Sequence, residues 1–205
     1  TCQVLRWGEP IAEHDFNIAL MSLPWRCATS MQTIPAAVPY LSVPPSARER
    51  WASGLASLPG RKVGLVWSTS ESFIYRSAKT IALAALEPLL QQPGISWVNL
   101  QFGKEAGEIA QNGWTSRFFD PMPEVRDFSD TAAIIGELDL VISVDTAVAH
   151  LAGALNRPVW MLDRYDTDWR WLPPREESPW YPTMRIIRQQ EFGNWVPVVD
   201  RAASM

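Results

Sequence analysis

Two runs, Val63-Gly-Leu-Val-Trp67 and Leu140-Val-Ile-Ser-Val144, are apolar almost throughout rather than alternating apolar with polar. A strand without a polar face has no side to show to water, so helices must cover it above and below, which is the environment of a parallel sheet. The remaining sequence supplies both kinds of element in turn: strands are expected at 62–67, 96–101, 117–119, 140–144, 158–162 and 184–188, and helices at 81–91, 104–111, 131–138, 146–155 and 195–203. Such alternation with short connections reads as an α/β fold with a doubly wound, Rossmann-like parallel sheet. In the strand order 3-2-1-4-5-6 the direction of winding reverses between the first and fourth strands. A ligand crevice is therefore expected where the following loops, 68–79 and 145–150, face each other.

Residues 1–45 read differently. Pro recurs at 10, 24, 35, 39, 44 and 45, and one strand-like run, Phe16 to Met21, precedes Ile34-Pro-Ala-Ala-Val-Pro-Tyr-Leu41. This stretch reads as a linker and the remnant of an N-terminal domain. The regular domain, 46–205, opens with a helix capped by Ser46 and stopped at Pro59-Gly60. The first residues, Thr-Cys-Gln-Val, have neither the basic nor the apolar region of a secretory leader and read as a cut.

Charge and composition narrow the function. With 18 Lys and Arg against 22 Asp and Glu, the net charge is −4, and no run of like charges marks a nucleic-acid footprint or a polybasic membrane patch. The longest apolar stretches, 138–144 and 147–155, are too short to span a bilayer. Cys2 and Cys27 have no metal-ligand spacing and read as unpaired thiols of a cytoplasmic protein. His14 and His150 are the only histidines, and no Gly-x-Ser-x-Gly or Walker motif occurs, so metalloenzyme and triad-hydrolase chemistries lack their residues. The glycine fingerprint of a nicotinamide site is missing as well, which disfavours an oxidoreductase or epimerase on this fold.

The segment that carries most chemistry runs from Leu140 through Asp145-Thr146-Ala147-Val148-Ala149-His150 to Leu155, a buried strand turning directly into a helix of small residues. The leading amides of such a helix lack intrahelical partners and sit at the positive end of its dipole, which suits a phosphate. His150 lies one turn beyond Thr146 on the same face and could add a donor. On spacing alone, Asp145 could equally cap the helix and His150 be an interior histidine. The facing loop offers Thr69 and Ser70, with Lys79 just before the next helix, where it is either a phosphate ligand or a solvated charge. Glu105, after the second strand, stands where dinucleotide folds bind ribose hydroxyls, or it complements a helix dipole. Asp168 and Trp169, in an aromatic loop after the fifth strand, suit a sugar's hydroxyls and apolar faces, or pack into the loop itself.

The order of these motifs resembles a known family. Leu20-Met-Ser-Leu-Pro24, Ile34–Leu41, Val63–Trp67, Asp127-Phe-Ser-Asp-Thr-Ala132, Val141–Ala152 and Asp168-Trp-Arg-Trp-Leu172 resemble the glycosyltransferase region of bacterial tetratricopeptide-repeat proteins. That region is similar to the ADP-heptose heptosyltransferases, glycosyltransferase family 9. The resemblance implies the C-terminal half of a glycosyltransferase B fold, which binds a nucleotide-diphosphate sugar without a metal or further cofactor. The acceptor, a glycan or protein, and the catalytic base would belong to a missing N-terminal domain. By the same resemblance, Asp145, Thr146, Ala147 and His150 bind the diphosphate and sugar, Thr69, Ser70 and Lys79 contact phosphate, and Glu105 lies near ribose. Where the family pattern reads Trp-Ala-Gly-Asn-Pro, this chain has Trp67-Ser-Thr-Ser-Glu71. The competing expectation is a non-catalytic protein-interaction module that keeps the fold, for which a Trp-rich surface is equally suited.

Overall fold

The computed structural model describes residues 3–6, 8–70 and 76–205. Six parallel strands form one sheet: β1 (Arg61–Val66), β2 (Ile95–Asn99), β3 (Phe118–Phe119), β4 (Leu140–Val144), β5 (Val159–Asp163) and β6 (Met184–Arg188), in the order β3-β2-β1-β4-β5-β6. The expected order is therefore observed. β1 and β4 lie side by side, with Val63 opposite Leu140 and Val66 opposite Ser143.

Both faces of the sheet are covered, which explains the unbroken apolar runs. On one face Val66, Val98, Val141, Val159 and Met161 pack under α1 (Pro45–Ala56), α2 (Phe128–Gly136) and α3 (Ala147–Ala154). On the other, Val63, Leu65, Ile142, Val144 and Leu162 meet Leu83, Leu86 and Leu89 and the buried side of α4 (Val196–Ala203). Adjacent residues of β1 thus enter separate cores, as the period of an extended strand requires.

Asp127 caps α2, accepting from Ser129 N at 2.8 Å and Asp130 N at 3.3 Å. Within α2, buried Asp130 accepts from Trp51 Nε1 at 3.0 Å and from Arg126 Nε at 2.8 Å, which ties α1 to α2. α1 begins at Pro45 and no side chain caps it, so Ser46 is not its cap. Proline at the first helical positions is itself well suited to that start.

Two expected helices are shorter and tighter than the sequence suggests. The segment 81–91 is a 3₁₀ turn, Leu83–Leu86, followed by an α turn, Glu87–Leu90, because Pro88 has no N–H with which to continue the ladder. The segment 104–111 likewise divides into Lys104–Gly107 and Glu108–Gln111, with a poor helix former, Gly107, at the join.

The chain divides into two compact units, Thr1–Ile34 and Pro35–Met205. In the first, the strand-like run 16–21 is not a strand. Its end enters a 3₁₀ turn, Leu20–Ser22, and a helical turn, Leu23–Arg26, for which Pro24 sets a helical φ. In the second, regular structure starts at Pro45, but packing starts earlier: Val38 and Val43 lie against the core and Tyr40 N donates to Ala154 O at 3.1 Å. Cys27 is an exposed thiol, while Cys2 and Glu71 lie outside the described residues.

Candidate functional site

At the carboxyl end of β1 the chain is held by one side-chain amide. Gln101 Oε1 accepts from Trp67 N at 3.1 Å and Ser68 N at 2.8 Å, and Gln101 N in turn donates to Asn99 Oδ1 at 2.8 Å. The hydroxyls of Ser68 and Thr80 lie 2.9 Å apart and close the base of the loop. A helical turn, Arg76–Lys79, then brings two cations back over the strand ends.

Lys79 Nζ donates to Asp145 Oδ2 at 2.5 Å, with the two side chains only 10% and 6% exposed. Lys79 is therefore no solvated charge, and Asp145 does not cap α3. The N-cap is Thr146, whose hydroxyl lies 2.9 Å from Ser143 Oγ and makes no capping bond. The leading amides of α3 keep the positive end of its dipole at the crevice. A cavity of about 440 Å³ opens there, lined by Ser68, Thr69 and Ser70 from one loop and by Thr146, Ala147 and Val148 from the other. Val66, Leu100, Phe102, Met122, Val125 and Phe128 give it a largely apolar wall, Gln101, Arg126, Asp127 and Thr131 add polar groups, and Lys79, Glu105, Asp145 and His150 do not line it. A second hollow, about 710 Å³, lies by the amino ends of β2 and β3 and contains none of the candidate residues.

His150 sits behind the ion pair. Its Nε2 lies 3.8 Å from Asp145 Oδ1, its Nδ1 lies 3.0 Å from the Tyr181 hydroxyl, and its ring stacks on Trp171 with centroids 5.2 Å apart. Burial is the strongest influence on His150 and pulls its pKa below the ordinary imidazole value, against the opposing attraction of Asp145. A histidine whose pKa falls on folding stabilises the fold fully above the unfolded value of about 6.5, and less as pH drops, because the unfolded chain then takes up the proton more readily. The wild-type urea midpoint should consequently fall more than that of His150→Gln between about pH 7 and about pH 5. His14 is common to both proteins, so equal falls would assign no pH sensitivity to His150.

The other candidates are placed less centrally. Glu105 is buried, but its carboxylate is taken up by an ion pair with Arg76, whose Nε also donates to Thr69 O at 3.4 Å. Asp168 and Trp169 do not line the cavity. Asp168 accepts from Arg170 N at 3.0 Å and pairs with the Arg170 guanidinium at 3.1 Å, while Trp169 meets the edge of Trp180 on the surface. Asp168 still acts on His150 electrostatically, raising its pKa slightly against burial. Trp171 and Tyr181 belong to the aromatic loop that the sequence offers for a sugar or for packing, and both lie against His150. Arg76 and Gln101 are not among the sequence candidates, although Arg76, three residues before Lys79, would share its side of a helical turn. Among the described residues, no three His, Cys, Asp or Glu side chains converge to hold a metal ion.

A family model described as Glycosyltransferase family 9 (heptosyltransferase) matches residues 84–191, a little over half of the chain. Protein FlbA of Caulobacter vibrioides is 34% identical over 173 residues, which cover 80% of this chain and 28% of FlbA. The E. coli ADP-heptose lps heptosyltransferase II superposes with a TM-score of 0.55 at 18% identity, over 84% of this chain and 56% of that one. E. coli heptosyltransferase WaaC with ADP gives a TM-score of 0.52 at 16% identity, over 83% of this chain and 52% of WaaC. The chain thus spans little more than a quarter of its curated relative and just over half of these two enzymes.

Proposed function

The chain belongs to glycosyltransferase family 9, and on that premise we propose that residues 35–205 are the donor-binding half of a cytoplasmic, metal-independent glycosyltransferase B enzyme. The donor is a nucleotide-diphosphate sugar, the acceptor a glycan or protein hydroxyl, and the acceptor half lies elsewhere in a longer, tetratricopeptide-repeat-associated protein. The observation that carries this reading is the convergence, at the reversal of strand order, of the uncapped start of α3 with the hydroxyl-bearing residues Ser68, Thr69, Ser70 and Thr146 around one cavity, with the Lys79–Asp145 pair next to it in sequence at Asp145.

The chemistry follows from that meeting. The acceptor oxygen attacks the anomeric carbon, the bond from that carbon to the diphosphate oxygen breaks, and the hydroxyl proton passes to a base outside this chain. What these residues contribute is charge stabilisation. The amides of α3 and the ammonium of Lys79 receive the leaving diphosphate in a preformed arrangement, so negative charge has protein partners without a metal. The largely apolar wall from Leu100 to Phe128 suits a base, while the carboxylate of Glu105, the expected ribose ligand, is paired with Arg76. Alone, this half should bind donor better than it turns it over.

A thermal-shift panel of ADP, UDP, GDP and their sugars tests the reading. A ligand present at a hundred times its dissociation constant adds about 2.7 kcal/mol of apparent stability. Stabilisation by one base and not the others supports the donor site. No shift across the whole panel would replace it with the non-catalytic interaction module.

A further inference from the structure

His150 has two possible neutral tautomers, and only one of them presents an N–H to the Asp145 carboxylate. Its surroundings choose between them. The Tyr181 hydroxyl lies 3.0 Å from Nδ1, and the Tyr40 hydroxyl lies 3.3 Å from that of Tyr181. On the far side of the ring, Nε2 lies 3.8 Å from the Asp145 carboxylate that Lys79 also binds. A lone pair on Nε2 would face that carboxylate and be repelled, whereas an N–H there is attracted. With the proton on Nε2, Nδ1 must accept, and Tyr181 is the donor placed to supply it. The Tyr181 oxygen then accepts from Tyr40, so every hydroxyl in the series has a partner.

Resting on the donor-site reading for its purpose, we propose that Tyr181 is a positioning residue: its hydroxyl donates to His150 Nδ1, fixes the Nε2–H tautomer, and holds that N–H towards the Asp145–Lys79 pair as a neutral donor for an anionic ligand.

The rest of the molecule holds Tyr181 to this task. Its backbone N donates to Ser178 Oγ at 3.2 Å, and its ring lies on α3 at Gly153, where an added Cβ would meet Tyr181 Cγ at 2.4 Å. Only glycine lets the ring come so near the helix that carries His150. Trp171, fully buried, stacks on the imidazole, and the Tyr181 ring meets it in a T-shaped contact. Burial raises the Tyr181 pKa, so the hydroxyl keeps the proton that it must donate. The charged groups facing His150 are Asp145, Lys79, Arg170 and Asp168, and they oppose one another in sign.

Nitrogen-15 NMR of the ligand-free chain tests this directly, since only His14 and His150 give imidazole signals. In the wild type, His150 should show a pyridine-like Nδ1 and a pyrrole-like Nε2. In Tyr181→Phe, which keeps the ring against Gly153, the two signals should move towards each other as the tautomers mix. Tyr40→Phe should leave them in place. A proton on Nδ1 in the wild type, or an unaltered Nε2–H tautomer in Tyr181→Phe, would overturn the proposal. ADP or the nucleotide selected in the panel, titrated into Tyr181→Phe, should bind about threefold to tenfold more weakly. Mixed tautomers with unchanged nucleotide affinity would uphold Tyr181 as the residue that sets the tautomer but overturn the role of the His150 N–H as a donor to the ligand, whereas a wild type that binds no nucleotide would remove the donor-site reading instead.

Discussion

Replacing Lys79 by alanine is expected to cost about 3–5 kcal/mol of unfolding free energy, because Asp145 then stays buried without its counter-charge. On the proposed donor-site reading, the same variant should bind a nucleoside diphosphate about 10- to 150-fold more weakly, the equivalent of one lost charge-assisted hydrogen bond. These two losses have different causes and can be separated. Lys79→Met combined with Asp145→Leu removes both charges and fills their volume, a change that is often neutral or stabilising for a buried pair. Urea titration should therefore find stability largely restored in the double variant, while calorimetry should find binding still impaired. Recovery of affinity together with stability would show that the pair serves the fold alone. An unchanged urea midpoint in Lys79→Ala would show that water reaches Asp145 despite its 6% exposure.

The strands were legible because they are buried on both sides. No residue of the run 140–144 had to be polar for solvent, so the run is continuous and its observed ends, Leu140 and Val144, are those expected. The helices at 81–91 and 104–111 were less legible because their outlines come from apolar spacing, whereas Pro88 and Gly107 shorten them through backbone bonding that apolar spacing does not weigh. At the site, the loops could be located in advance, since strand order alone brings Ser68–Ser70 opposite Thr146–Val148. The partners within it could not. Asp145 next to a helix start reads as a cap, and only the return of the chain at Arg76–Lys79 gives it an ammonium instead. Glu105 reads as an available carboxylate until Arg76 is seen to occupy it. Tyr181 reaches His150 from 31 positions away, through a loop whose aromatic residues give no period to read.

His150 is where the two readings of the sequence now make opposite forecasts. As an interior histidine it would contribute mainly its ring contacts with Trp171 and Tyr181, worth about 0.5–1.5 kcal/mol each, and its removal would lower stability without touching ligand affinity. As a crevice donor it loses a hydrogen bond to a charged phosphate, and His150→Ala should weaken nucleotide binding about 10- to 150-fold. The geometry favours the second outcome with a smaller share of the first. The side chain is 34% exposed, so the cavity left by alanine opens to water, yet Nε2 points at the Asp145–Lys79 pair. Binding should weaken without vanishing, because the amides of α3 and Lys79 remain in place. Calorimetry on His150→Ala and His150→Gln decides the matter. A large loss of melting temperature with unaltered nucleotide affinity would make His150 a packing residue. A large loss of affinity in a variant that still melts near the wild type would make it a ligand-binding one.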